Sequence, residues 1–275
     1  MASYPRFKDK VVIVSGGADG MGRACSVQLA SEGARLFILD VKYEMAVQLA
    51  RDLSTPSAQV EALRADVMNE TELKNAIASV LDRTGGKVDS LINIAGGSAS
   101  GLTAEIDLAV WDRLYALNLR STLVACQAVI PAMRRRGGSI VTMASISGLR
   151  GDPEWAPYNA AKAAIISLTQ SLAWEEGGYG IRVNAICPGP VASERMLATI
   201  SADELREYNE SCALGRIGKA SELAEAILFL ASDQASFITG AALVADGGLT
   251  ARTGQPTRFY RQQREGLHRR PEEPS

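Results

Sequence analysis

Histidine is almost missing. The chain has one, His268, within its last eight residues. A Ser-His-Asp hydrolase needs a positioned imidazole, and most catalytic zinc sites use several histidine ligands, so both chemistries are disfavoured. A nucleophile elbow is missing too: the stretch Gly97–Gly101 reads GSASG, with Ala99 where the serine of GxSxG would stand. Cysteines are few and scattered, Cys25, Cys126, Cys187 and Cys212, with no CxxC pair. That pattern fits lone buried thiols in a reducing cytoplasm, and neither a disulfide framework nor a metal site. Net charge is only -2, so no global field points to nucleic acid or to a membrane. No apolar run approaches the ~18 residues that span a bilayer. The opening MASYPRFKDK lacks the apolar core of a signal peptide. The expectation is a cytoplasmic protein with no metal, no nucleic-acid partner and no membrane partner.

What is present is a regular alternation. The 275 residues are 47% hydrophobic, enough for one large α/β domain. Short β-rich runs at 11–16, 36–40, 60–66, 88–96, 138–145, 181–189 and 242–248 are separated by helical patterns. Those patterns fall at 20–32, 43–53, up to 83, 107–136, 156–176, 202–211 and 221–230. Alternating strands and helices imply βαβ units and a parallel sheet. Several strand runs are almost wholly apolar, as expected when helices cover both faces. The predicted fold class is therefore α/β, a Rossmann-like doubly wound parallel sheet of about seven strands in one domain, residues 1–250. Ligands of such sheets bind beyond the carboxyl ends of the strands. Residues 251–275 form an extension with six Arg and three acids, about +3 against about -5 for the body. It reads as a frayed end, or as an arm anchored through Phe259 and Tyr260.

After the first strand comes Ser15-Gly16-Gly17-Ala18-Asp19-Gly20-Met21-Gly22. Its Gly-x-x-x-Gly-x-Gly spacing removes Cβ atoms where a backbone must approach a pyrophosphate. The helix beginning near Gly20 aims its free N–H groups and positive dipole end at such a group. Asp40 ends the second strand about 20 residues after the glycines. A carboxylate there accepts hydrogen bonds from ribose hydroxyls and repels a 2′-phosphate. With Asp19 adding negative charge, this favours NAD over NADP. Lys42, two residues on, could instead swing towards a phosphate.

Taken in order, these residues resemble the short-chain dehydrogenase/reductase family over about residues 8–250. The marks are the glycine loop, Asn93-Ile94-Ala95-Gly96 after the fourth strand, and Asp66-Val67 after the third. Asn118 lies in a long helix. Ser145 precedes Tyr158 by thirteen residues, Lys162 completes Tyr-x-x-x-Lys, and Pro188-Gly189 follows the sixth strand. Ser15 and Ser193 stand where the family commonly has threonine, and each keeps the hydroxyl. The resemblance implies a nicotinamide cofactor, NAD, held by Ser15, Gly16, Asp19, Gly20, Met21, Gly22, Asp40 and Val41. It extends that set to Asp66, Val67, Asn93, Ala95, Gly96, Tyr158, Lys162, Pro188, Gly189, Val191 and Ser193. It also implies a catalytic set of Asn118, Ser145, Tyr158 and Lys162, with Asn118 holding a water in a proton relay. A homotetramer is implied as well, built through two long helices and the region 214–232.

A secondary alcohol must lose a proton from oxygen as a hydride leaves carbon, so an acid/base must lie within hydrogen-bond reach. With no usable histidine, Tyr158 is the candidate. Its ordinary pKa of about 10 is too high, and a nearby cation would lower it. Lys162 stands four residues on, one turn along the same helical face. Ser145 would fix the substrate oxygen. Taken alone, a Tyr–Lys pair on a helix is usually structural, so it is the coincidence of the set that points to function. The substrate, a small alcohol or ketone of mostly apolar cyclic or aromatic type, would meet Ser145, Tyr158, Arg150, Trp155, Met196 and Leu197. The segment 190–214 would act as a lid. Two competing readings are a catalytically idle NAD-binding regulator and a sugar-nucleotide epimerase. The intact catalytic set opposes the first, and the short C-terminal region opposes the second.

Overall fold

The run VVIVS forms β1, Val11–Ser15, buried along its whole length. β-Branched residues suit a strand whose two faces are both covered. In the computed structural model, described over residues 5–253, six further strands join it. They are β2 (Arg35–Asp40), β3 (Val60–Arg64), β4 (Ser90–Asn93), β5 (Gly138–Met143), β6 (Ile181–Pro188) and, last in the sheet, Ala242–Ala245. Every neighbouring pair is parallel, so the seven strands form one doubly wound sheet in a single α/β domain. β1 lies between β2 and β4. The chain order reverses there, and this is where a crevice opens beyond the strand ends.

Alternate residues of each strand feed opposite cores. On one face Val12, Val14, Leu36 and Ile38 pack with helices α1 (Gly20–Ser31) and α2 (Tyr43–Leu53). The late helix Ala220–Ala231 covers the same face through Leu223, Ile227 and Leu228. On the other face Val11, Ile13, Phe37 and Leu39 pack with α3 (Glu70–Thr84). At about 25 cal/mol per Å² of apolar area, these two layers supply the main stabilisation.

The helical pattern at 107–136 is not one helix. It divides into α4 (Leu108–Tyr115), a π-helical turn Ala116–Arg120, and α5 (Ser121–Met133). Two hydroxyls turn back on the ladder here, Ser121 Oγ to Leu117 O at 2.6 Å and Thr122 Oγ1 to Asn118 O at 2.7 Å. Ser121 N–H reaches Ala116 O, one residue further than in an α-helix. Such a bulge often marks a functional position, and Asn118 sits in it.

α6 runs Ala156–Gly177. After β6 the chain pairs Val191–Ala192 (β7) with Gly218–Lys219 (β8) in a small second sheet. Between them lie α7 (Glu194–Thr199) and α8 (Ala202–Ser211), inside the expected lid segment, and the helix Ala220–Ala231 is α9. The sheet strand Ala242–Ala245 is thus β9. The last carbonyls of α9 are anchored by Ser139 Oγ on Leu230 O at 3.1 Å and Ser90 Oγ on Ala231 O at 3.2 Å. Arg182 joins them, donating to Leu230 O at 2.8 Å and Ser232 O at 2.9 Å.

No helix among the described residues is long and apolar enough to cross a membrane. Among them no cluster of His, Cys, Asp or Glu could hold a metal ion. The four cysteines are buried, and none forms a disulfide among the described residues. Phe259 and Tyr260 of the expected C-terminal arm lie outside the described residues.

Candidate active site

The glycine loop joins β1 to α1. Gly16 has φ +69°, and a Cβ there would lie 2.9 Å from the Ala95 backbone. A Cβ on Gly22 would lie 1.9 Å from Gly16 O. These two glycines let the loop close on itself and on the end of β4. Gly20 is different: with φ +51°, a Cβ there would meet nothing within 4 Å. The space over the start of α1 is open, and the first N–H groups of a helix have no intrahelical acceptor. That is the cradle a pyrophosphate needs, so the residues fit a dinucleotide. Ser15 Oγ bonds Asn93 Oδ1 and also accepts from Ala95 N–H at 3.4 Å, tying the ends of β1 and β4 together.

Asp40 is buried at the end of β2. Its Oδ2 accepts from Ala18 N–H and its Oδ1 from Lys42 N–H, both at 2.9 Å. The carboxylate therefore shapes the glycine loop, and its remaining lone pairs can receive ribose hydroxyls. Lys42 is paired with the glycine loop. Its Nζ lies 2.7 Å from Asp19 Oδ2, and that bond holds the Asp19 carboxyl below its ordinary value. Asp19 also caps α1, accepting from Gly20 N–H at 2.7 Å. Past β3, Asp66 Oδ1 accepts from Met68 N–H at 2.9 Å. Val67 packs on the second core layer, whereas Val41 is exposed.

The four catalytic candidates converge from three elements. Ser145 follows β5, is buried, and caps a 3-10 turn by accepting from Ser147 N–H at 3.1 Å. That turn presses on α6 through Gly148, where a Cβ would lie 2.7 Å from the Lys162 carbonyl carbon. Tyr158 lies in the first turn of α6, and Lys162 follows one turn later. Lys162 is only 3% exposed. Its Nζ donates to Met143 O at 2.7 Å and stands 5.5 Å from the centre of the Tyr158 ring. Asn118 clamps the loop after β4: Oδ1 accepts from Gly97 N–H at 3.2 Å, and Nδ2 donates to Gly97 O at 2.9 Å. A Cβ on Gly96 would touch Asn118 Oδ1 at 2.7 Å and approach Lys162 Nζ to 3.6 Å. Glycine is thus required where Asn118 and Lys162 meet.

Electrostatics correct one expectation. Burial pushes the Lys162 ammonium down to about 7. Tyr158 keeps some accessible surface, yet burial of its hydroxyl raises its pKa above the ordinary value. A hydrogen bond with Ser145 opposes that rise, and the charge of Asp152 adds to it. Desolvation is the largest cause of that rise, and Lys162, over the ring face, directs its hydrogen bond to Met143 O.

The remaining expected residues divide. Trp155 meets Tyr158 edge-on, with ring centres 6.3 Å apart. Met196 is half-buried, while Leu197 is exposed. Arg150 is exposed, and its Nη1 donates to the Leu149 carbonyl at 3.0 Å, so it is not gathered into the site. Ser193 caps α7 by accepting from Met196 N–H at 3.1 Å. Pro188 ends β6, Gly189 backs closely onto Asp246, and Val191 packs on the first core layer.

Sequence reasoning missed Gly97, Gly148, the Met143 carbonyl and Cys187. Cys187 lies behind the site: burial drives its thiol up to about 11, opposed by the Ser145 N–H and the charge of Lys162. Only Gly148 carries a sequence signal, a glycine in the loop between Ser145 and Tyr158.

Known proteins match this chain over most of its length. A family model described as enoyl-(acyl carrier protein) reductase matches residues 16–250. A 2-(S)-hydroxypropyl-CoM dehydrogenase of Xanthobacter autotrophicus is 38% identical over 252 residues, covering 90% of this chain and 98% of its own. A cyclopentanol dehydrogenase of a Comamonas species is 36% identical over 248 residues, covering 90% and 99%. A solved short-chain type dehydrogenase/reductase from Mycobacterium ulcerans superposes with a TM-score of 0.86 at 29% identity, covering 96% of this chain and 97% of that one.

Proposed function

The chain belongs to the short-chain dehydrogenase/reductase family, and from that premise we propose that it interconverts a secondary alcohol and a ketone with NAD(H). The observation that carries the reading is the meeting of Ser145, Tyr158, Lys162 and Asn118 beside the open glycine loop. A bound nicotinamide dinucleotide would accept or supply the hydride. Tyr158 Oη gives the proton to the carbonyl oxygen, or takes it from the alcohol. Near neutrality the free phenol is protonated and therefore set to donate. Ser145 hydrogen-bonds the same substrate oxygen and orients it. Lys162, one turn on, favours the phenolate whenever it is charged. Asn118 fixes the loop at Gly97 and completes the relay side of the site.

The relatives support this class: the two cited above are named for alcohols carrying a CH–OH group. A cyclic alcohol in one of those names agrees with an apolar substrate framed by Trp155, Met196 and Leu197. Large exposed apolar residues support a homotetramer. Trp174 on α6 is 90% exposed, and Phe237, before β9, is fully exposed.

A panel of secondary alcohols, cyclopentanol and 2,3-butanediol among them, tests the reading through reduction of NAD and of NADP. NAD is expected to be preferred at least about tenfold, one buried charge contact's worth of discrimination. Asp40→Ala should narrow that preference by lowering kcat/KM for NAD and raising it for NADP. Equal use of the two cofactors by the parent would refute the role given to Asp40.

A further inference from the structure

At the amino ends of β1, β4, β5 and β6, opposite the catalytic edge, lies a cleft of about 440 Å³. Six cationic side chains line it, against two carboxylates. Three of the six are already matched. Arg6 pairs with Glu32 and Glu225, Lys10 with Asp233, and Arg134 with Glu176 while stacking on Tyr179. The other three are Arg135, Arg136 and Arg182. Among the described residues no carboxylate forms an ion pair with any of them.

Arg182 is the informative one. It is half-buried, and its guanidinium donates to the carbonyls of Leu230 and Ser232 at 2.8 and 2.9 Å. Those bonds satisfy donors but leave the charge uncancelled, and an uncancelled charge away from water is costly. Burial accordingly lowers its pKa, and the carboxylate whose charge opposes that, Asp233, already pairs with Lys10. The positive charge of Arg135 and Arg136 has a plainer explanation in part, since cations after a helix C-terminus suit its dipole. That explanation does not reach Arg182, which enters the same cleft from β6.

We propose that this cleft binds a small phosphate-bearing polyanion, at a site separate from the catalytic centre. Guanidinium forks match the paired oxygens of phosphoryl groups. Two adjacent exposed forks, beside the uncancelled charge of Arg182, suit a ligand with at least two such groups, and the cleft is larger than a diphosphate requires.

The probe is pyrophosphate, titrated into the full chain at constant ionic strength against sodium chloride, with orthophosphate in parallel. Calorimetry and thermal unfolding are the readouts. The expected result is saturable binding with a rise in unfolding temperature, tighter for pyrophosphate than for orthophosphate. The double variant Arg135→Gln/Arg136→Gln should weaken it at least about tenfold, the loss of one or more charged hydrogen bonds. Turnover should be unchanged in that variant. Absence of saturable binding would overturn the proposal. So would binding of equal strength in the double variant, which would place the anion elsewhere, at the glycine loop for instance.

Discussion

Tyr158→Phe is expected to lower kcat by about 10²–10⁴-fold, the range a positioned acid/base contributes, while dinucleotide affinity stays at the parent level. The substitution removes one oxygen and keeps the ring. The edge-on contact with Trp155 and the position under Lys162 both depend on that ring, so the wall of the site should survive. The hydroxyl interacts with Ser145, which lowers its pKa against the effect of burial, and losing it breaks the pair of groups aimed at the substrate oxygen. Steady-state kinetics and calorimetric titration with NAD separate the two effects. Turnover near the parent level would show that another group moves the proton.

Lys162→Met should have two opposite effects. Turnover should fall by about 10²-fold, the lower end of what a proton-transfer group contributes. Stability should rise, and the rise should depend on pH. The lysine's pKa is depressed from 10.5 to about 7 in the folded chain, so folding disfavours its charged form. Its contribution to stability is intact above the unfolded value and is lost as pH falls towards about 7. Below about pH 7 the folded chain carries the full cost of a buried ammonium. The methionine variant should therefore gain most at pH 6 and progressively less as pH approaches 10. Every tenfold loss of proton affinity on folding costs the charged form about 1.4 kcal/mol. The lost bond to Met143 O offsets about 1 kcal/mol of the gain. A net gain on the order of 4 kcal/mol at pH 6 follows. Urea unfolding at pH 6 and pH 9 reads it directly. A gain that did not change with pH would contradict the buried charge.

The sequence was legible where one residue type answers one physical demand. Alternating apolar runs announced the strands, and a seven-stranded parallel sheet is what forms. Glycines marked the loop, and Asp40 ends its strand where a ribose carboxylate should stand. Ser145, Tyr158 and Lys162 were legible through the family resemblance, and the fold gathers them. What escaped depends on contacts between distant segments. Helical periodicity at 107–136 cannot report that Ser121 and Thr122 bend their hydroxyls back and open a π-turn at Asn118. Lys42 looks free in the sequence because its partner, Asp19, lies on another loop. Spacing shows the cation beside Tyr158 but not the burial of its hydroxyl, which raises the phenol's pKa. Arg150 and Trp155 share one loop, yet only Trp155 turns towards Tyr158.

The central claim is that a hydride passes between the carbinol carbon of a secondary alcohol and the nicotinamide of a bound dinucleotide. Cyclopentanol deuterated at the carbinol carbon, incubated with the full chain and NAD, tests it most directly, with mass spectrometry of the cofactor. Deuterium on the reduced nicotinamide, with cyclopentanone formed in equal amount and turnover slowed by the label, is the predicted result. Reduced cofactor without deuterium, or no reduction with any secondary alcohol of the panel, would contradict it.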